Sequence, residues 1–119
     1  MDYNKRAEAF GFAPRESIIK TAALPDVIFL DVRSDGEISA GKLRTGSKTW
    51  KHSQCTTSSA PQLETKAASV LPDKSAPVIV YCGSGKRASI AKNVLESQGY
   101  ENVLNAGGLG DLGYLDGLE

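Results

Sequence analysis

The sequence predicts an α/β protein with a sheet at its centre. Three observations carry this. Segments with helical apolar spacing alternate with short β-rich runs, which fits a layered sheet rather than a helical bundle. The clearest run, Val78–Tyr81, passes through a glycine-rich turn into an amphipathic segment. The chain has 119 residues, 40% apolar and 24% charged, as one ordinary domain with a single buried core needs.

The elements follow in order. Pro14 stands where a helix can start, and Ile18, Ile19, Ala22 and Ala23 give it an apolar face before Pro25-Asp26 ends it. Residues 27–30, VIFL, read as a buried strand that ends at Asp31-Val32-Arg33. Ser34-Asp35-Gly36-Glu37 opens a short helix with a side-chain cap, and Gly41 closes it. Residues 46–50, GSKTW, are expected as a further strand, and the hydroxyl-rich stretch 51–60, KHSQCTTSSA, as a loop. A helix is expected over 62–71, with Leu63, Ala67, Val70 and Leu71 on its buried face. Pro72-Asp73-Lys74 turns the chain into the 78–81 strand. Ala91, Val94 and Leu95 then mark a helix running from near Arg87 to Gln98. Gly99 suits a left-handed residue past the helix end, with Tyr100 packing back on Leu95. Asn102-Val103-Leu104 is the last strand, and Gly107-Gly108 turns the chain into a short tail.

Composition narrows the function. Acidic and basic residues number 14 each, so no bulk charge points to nucleic acid or to a membrane surface. No apolar run is long enough to span a bilayer, and MDYNKRAEAFGF lacks the apolar stretch of a signal peptide. A cytoplasmic protein is expected; a mature form that has lost a targeting segment reads the same way. Leu118-Glu119 fits a native end or a cloning remnant equally. With one histidine, His52, and two cysteines, Cys55 and Cys82, there is little material for a zinc site.

The chemistry concentrates at Cys82. It follows a strand, and ligands of open α/β sheets bind beyond the carboxyl ends of the strands. Gly83 and Gly85 permit backbone dihedrals that turn N–H groups toward one point. The next helix adds its positive N-terminal end, and Lys86 and Arg87 add full charges. Each favours an anion at the sulfur, a setting in which cysteines become nucleophiles without a general base. The competing reading is a buried structural cysteine, the usual fate of a free thiol.

At this point a family resemblance becomes specific. Cys82-Gly83-Ser84-Gly85-Lys86-Arg87 resembles the active-site loop of rhodanese-type sulfurtransferases. Leu30-Asp31-Val32-Arg33, with Glu37 and Gly41, resembles that family's first motif. Gly99-Tyr100, Val103 and Asn105-Ala106-Gly107-Gly108-Leu109 resemble its closing motif. The stretch from Pro72 to Leu112 resembles the small phage-shock rhodaneses of bacteria, and the likeness covers roughly residues 15 to 112 of a single domain, 1–119. Gly41-Lys42-Leu43 and Thr45-Gly46-Ser47 depart from the family pattern, residues 51–60 match none of it, and the late tryptophan of larger members is absent. These departures bear on the substrate pocket more than on the loop.

The resemblance implies a rhodanese-like fold, with a mostly parallel sheet and helices on both faces. It implies a thiosulfate sulfurtransferase with Cys82 as the catalytic residue. The cysteine takes a sulfane sulfur from thiosulfate or a similar donor and passes it, as a persulfide, to a thiophilic acceptor. Gly83, Ser84, Gly85, Lys86 and Arg87 would bind the substrate, with Asp31 and Arg33 in support. No metal or cofactor is implied. The expected partners are a small-molecule donor and acceptor, with a thiol protein as a further candidate acceptor, and a monomer is expected. Two alternatives stand beside this. One is a non-enzymatic persulfide carrier or sensor. The other is a phosphatase or arsenate reductase of the same fold, whose loop is one residue longer, to fit a tetrahedral oxyanion.

Several side chains keep two readings. Arg87 either steers anionic donors or turns inward to hold the loop, and Lys86 is expected at the entrance. Asp31 either meets loop N–H groups or a cation, or else caps a turn. Arg33 is a structural partner or part of the pocket rim. Cys55 is an incidental loop cysteine, or a resolving thiol that could form a disulfide with Cys82. His52 is expected to be exposed, Trp50 to line core or pocket, and Glu37 to be solvated or to cap its helix.

Overall fold

The computed structural model describes residues 3–115, so the reading of Leu118-Glu119 lies outside the described residues. The chain runs α1 (Tyr3–Phe10), α2 (Arg15–Ala22), β1 (Ile28–Asp31), α3 (Asp35–Ala40), β2 (Thr49–His52), α4 (Pro61–Val70), β3 (Val78–Cys82), α5 (Lys86–Ser97) and β4 (Val103–Gly108), then two short 3-10 turns at Leu109–Asp111 and Gly113–Leu115. The strands form one sheet in the order β2-β1-β3-β4, and every pairing is parallel.

β3 shows why the sheet is central. All five of its residues are buried, so both of its faces are covered, as crossover helices require of a parallel sheet. Val78, Val80 and Cys82 pack on one side with Leu63 and Ala67 of α4 and Ala91 and Leu95 of α5. Ile79 and Tyr81 pack on the other with Tyr3 and Ala7 of α1 and Ile18 and Ala22 of α2. The two faces alternate along the strand with period two.

Local signals hold well at helix ends. Ser34 caps α3 in a capping box: Glu37 N–H donates to the Ser34 hydroxyl, and the Glu37 carboxylate accepts from Ser34 N–H. At the end of α5, Gly99 N–H donates to Glu96 C=O and Tyr100 N–H to Leu95 C=O, the paired bonds of a Schellman ending.

Other expectations are corrected. The segment before Pro14, for which no element is expected, forms α1. Ile19 and Ala23 face solvent, so the buried face of α2 is Ile18 and Ala22. The 46–50 strand sits at 49–52 instead, because a turn takes its first residues: Lys48 N–H donates to Thr45 C=O and the Thr45 hydroxyl to Lys48 C=O. The 51–60 loop therefore begins after His52, and it is not simply solvated, since Ser53, Cys55 and Ala60 are buried. Gly107-Gly108 extends β4 rather than turning the chain. An extra residue on β4 between the Val80–Asn105 and Cys82–Gly108 pairs makes a bulge, and Gly107 absorbs it at φ +82°.

Candidate active site

Cys82 is the last residue of β3, and the parallel register sets Asp31, the last residue of β1, beside Tyr81. Both strand ends therefore open on the same edge of the sheet. Gly83 and Ser84 are exposed, and α5 begins at Lys86. The residue between them, Gly85, has φ +100°. That left-handed turn aims its N–H back at the strand, and Gly85 N–H donates to Cys82 Sγ at 2.9 Å. The sulfur is fully covered and sits at the head of a twelve-residue helix. Of the several amides expected on it, this is the one that donates to it among the described residues.

The loop is braced from three sides. Gly108 of β4 lies so close that a Cβ there would come within 2.1 Å of Gly83 O. Asn105, buried in β4, donates from its side-chain amide to Gly85 C=O at 3.2 Å and accepts from Gly107 N–H at 2.9 Å. On the third side the Phe12 ring occupies the space a Gly85 side chain would need, 2.2 Å from an added Cβ.

A family model described as the Rhodanese-like domain matches residues 16–110. The chain belongs to this rhodanese-like family. It is 41% identical over 51 residues to thiosulfate sulfurtransferase PspE of Escherichia coli (strain K12), a stretch that is 43% of this chain and 49% of that protein. The match thus spans about half the length of that relative. Among solved structures, a rhodanese with anions from E. coli superposes with a TM-score of 0.56 at 28% identity, covering 73% of this chain and 92% of the other. The Rhodanese_3-like domain of an Anabaena protein gives 0.54 at 28% identity over 76% and 94% of the two chains. An uncharacterized protein from Saccharomyces cerevisiae gives 0.59 at 26% identity over 86% and 89%.

Within this rhodanese-like domain Arg87 turns to Glu37 of α3, with Nη1 at 2.6 Å from Oε1 and Nη2 at 3.0 Å from Oε2. The pairing raises the Arg87 pKa and places the guanidinium beside Gly83, where an added Cβ would meet Nη2 at 2.9 Å. Arg87 is thus paired with α3 rather than unpaired at the loop mouth. Glu37 caps its helix as expected and also forms this ion pair. Lys86 is exposed at the loop mouth.

Asp31 and Arg33 are both buried and bond to each other: Arg33 Nε and Nη2 donate to the Asp31 carboxylate at 2.9–3.1 Å. Arg33 Nη2 also donates to Gly41 C=O at 2.7 Å, and the Arg33 backbone N–H to Asp31 Oδ1 at 2.9 Å. The pair ties the C-terminal end of α3 to the end of β1. It supports the platform that presents Glu37, with no hydrogen bond to residues 83–87 among the described residues.

Cys55 is a core residue, not an incidental loop thiol. It is 3% exposed and packs in the same cluster as Cys82. Burial, and then the charge of Cys82, push its pKa up to about 12, so it stays protonated. Both thiols are free. His52 is half-buried, its Nε2 2.7 Å from Arg33 C=O. Trp50 donates from Nε1 to the Tyr81 hydroxyl at 2.8 Å and packs against the core on the α1–α2 side.

A cavity of about 450 Å³ opens on the outer side of the loop. One wall is Arg6, Phe10 and Phe12; the other is Ser84, Gly85, Lys86 and Ser89. The first wall was not foreseen from sequence, because residues 6–12 carry no motif. Asn105 was visible within the closing motif, but its role depends on Gly85, a residue 20 positions away.

Proposed function

We propose that this domain is a sulfurtransferase and that Cys82 carries the sulfane sulfur as a persulfide. The observation that bears the reading is the Gly85 N–H donating to Cys82 Sγ at 2.9 Å, at the head of α5. A hydrogen bond and a helix terminus aimed at one sulfur favour its anionic form, and the same donors favour the anionic end of a persulfide. The family and the name of the E. coli relative support thiosulfate as donor.

In the first step the Cys82 thiolate attacks the outer sulfur of thiosulfate. The S–S bond within thiosulfate breaks and sulfite leaves with the electron pair. In the second step an acceptor nucleophile attacks the outer sulfur of the persulfide, and the Cys82 thiolate is the leaving group. This is covalent, ping-pong chemistry. Lys86, exposed at the loop mouth, attracts the anionic donor, and the Arg87–Glu37 pair holds the loop closed around the sulfur. The Asp31–Arg33 pair supports α3 from behind.

Intact mass spectrometry after thiosulfate treatment tests the reading. The chain should gain the mass of one sulfur, and Cys82→Ser should gain none and lose turnover. Full turnover in that variant, or sulfur found on Cys55, would rule out Cys82 as the carrier.

A further inference from the structure

We propose that Phe12 and Asn105 are positioning residues for Cys82: they clamp Gly85 from two sides and so hold its N–H on the sulfur. The inference rests on Cys82 being the reacting thiol and adds what keeps that thiol reactive. Part of the answer lies outside the family match, which begins at residue 16.

Gly85 needs holding. Its N–H is the donor to Cys82 Sγ, yet glycine turns about φ and ψ more freely than any other residue. At φ +100° and ψ −14° it occupies one of several conformations open to it. Rotation of the Ser84–Gly85 peptide takes the N–H off the sulfur, and a hydrogen bond weakens steeply once its angle falls below about 120°. Gly85 has no side chain of its own to resist that rotation.

Two neighbours resist it instead. The Phe12 ring lies across Gly85 and Gly107 at once. Its Cε1 and Cζ fill the space beside the Gly85 Cα, while its Cε2 and Cδ2 stand 2.8 and 2.9 Å from where a Gly107 Cβ would be. The Asn105 side-chain amide holds the other end of the residue, donating to Gly85 C=O at 3.2 Å. The two neighbours are themselves joined: Ala13, next after Phe12, donates its N–H to Asn105 C=O at 2.9 Å. Phe12, Ala13, Asn105 and Gly85 therefore form a closed circuit of contacts. The circuit is anchored on α1. Phe12 N–H donates to Ala7 C=O at 3.0 Å, the ring is buried, and the Arg6 guanidinium lies 5.8 Å from its centroid. Arg6 pairs in turn with Asp111, whose carboxylate accepts from Gly108 N–H at 3.0 Å. Phe12 and Asn105 both act on the sulfur through the Gly85 backbone.

The pH profile of Cys82 alkylation by iodoacetamide tests the clamp, with the modified site confirmed by peptide mass. Phe12→Leu keeps apolar bulk in the layer but ends at its δ carbons, so the atoms against Gly85 are gone. Its profile should move to higher pH by about one unit, the worth of one hydrogen bond to an anion. Asn105→Ala removes the donor to Gly85 C=O and should move the profile the same way. Greater exposure of the loop alone changes the rate equally at every pH and leaves the midpoint in place. Val27→Ala controls for lost packing: Val27 is buried in the same layer as Phe12, but just before β1, at the opposite end of the sheet from Cys82. Its midpoint should match that of the unmutated chain. An unchanged midpoint in Phe12→Leu or in Asn105→Ala, or an equal shift in Val27→Ala, would overturn the clamp. Either clamp variant carries the test if the other does not fold. Sulfur loading is measured on the same proteins. If the unmutated chain takes up no sulfur, the transfer reading fails, and the alkylation profiles still decide the clamp.

Discussion

Glu37 holds its carboxylate well below the ordinary value of 4.5, at about 2, first through the Arg87 guanidinium and then through Ser34 N–H. A carboxyl group with a lowered folded-state pKa contributes stability that is fully present above its unfolded value. That contribution is lost as pH falls from about 4.5 toward about 2. The side chain is 37% exposed, so solvent screens the pair and the contribution is smaller than the shift alone implies. Glu37→Gln should therefore flatten part of the acid limb of stability between those pH values and leave neutral stability only modestly reduced. Thermal melts of both proteins across that range would check it. An acid limb of unchanged shape would mean that Glu37 is not among the carboxylates governing it. Arg87, freed from Glu37, should also hold the loop less firmly, so sulfur loading should slow in the variant at neutral pH.

At the scale of elements, the site is made where the end of β4 touches the loop after β3. Gly108 is the point of contact. In Gly108→Ala the new methyl would meet Gly83 O at 2.1 Å, and both are backbone positions that cannot swing aside. Relief requires the loop and strand to separate, at about 1–3 kcal/mol. Sulfur loading should fall by more than this loss of stability explains, because the displaced loop carries the Gly85 N–H. Urea midpoints and loading rates, measured side by side, separate the two effects. Normal loading in a destabilised variant would show that the close approach is not needed for chemistry. The elements most legible from sequence were those whose signals are local. The buried run into Cys82, the capped start of α3 and the glycine end of α5 each depend on a few adjacent residues. β2 was displaced because the turn at Thr45–Lys48 rests on bonds that its polar sequence does not advertise. α1 was missed because only Tyr3 and Ala7 of its residues are buried, too few to stand out as a stripe. The site divides the same way. The Cys82 loop is contiguous and could be read, whereas the Arg87–Glu37 pair joins residues 50 positions apart and the Phe12 contact joins distant segments.

The whole molecule joins two apolar layers through one thin sheet. Leu63 lies in the layer on the α4–α5 side, while Trp50 packs on the α1–α2 side. β1 and β3 contribute side chains to both: Leu30 and Val80 to the first, Phe29 and Ile79 to the second. Neither layer can melt without exposing the other's strand residues, so the domain should unfold as one unit. Leu63→Ala removes a fully buried side chain and should cost about 2–5 kcal/mol. Trp50, the chain's single tryptophan, reports from the opposite side of the sheet. Its fluorescence transition in urea should nonetheless shift by as much as the far-ultraviolet circular dichroism transition, with the two curves superimposed. A Trp50 transition left in place while the dichroism midpoint falls would mean that the layers melt separately, and that the sheet does not couple the Cys82 loop to the face on which α1 packs.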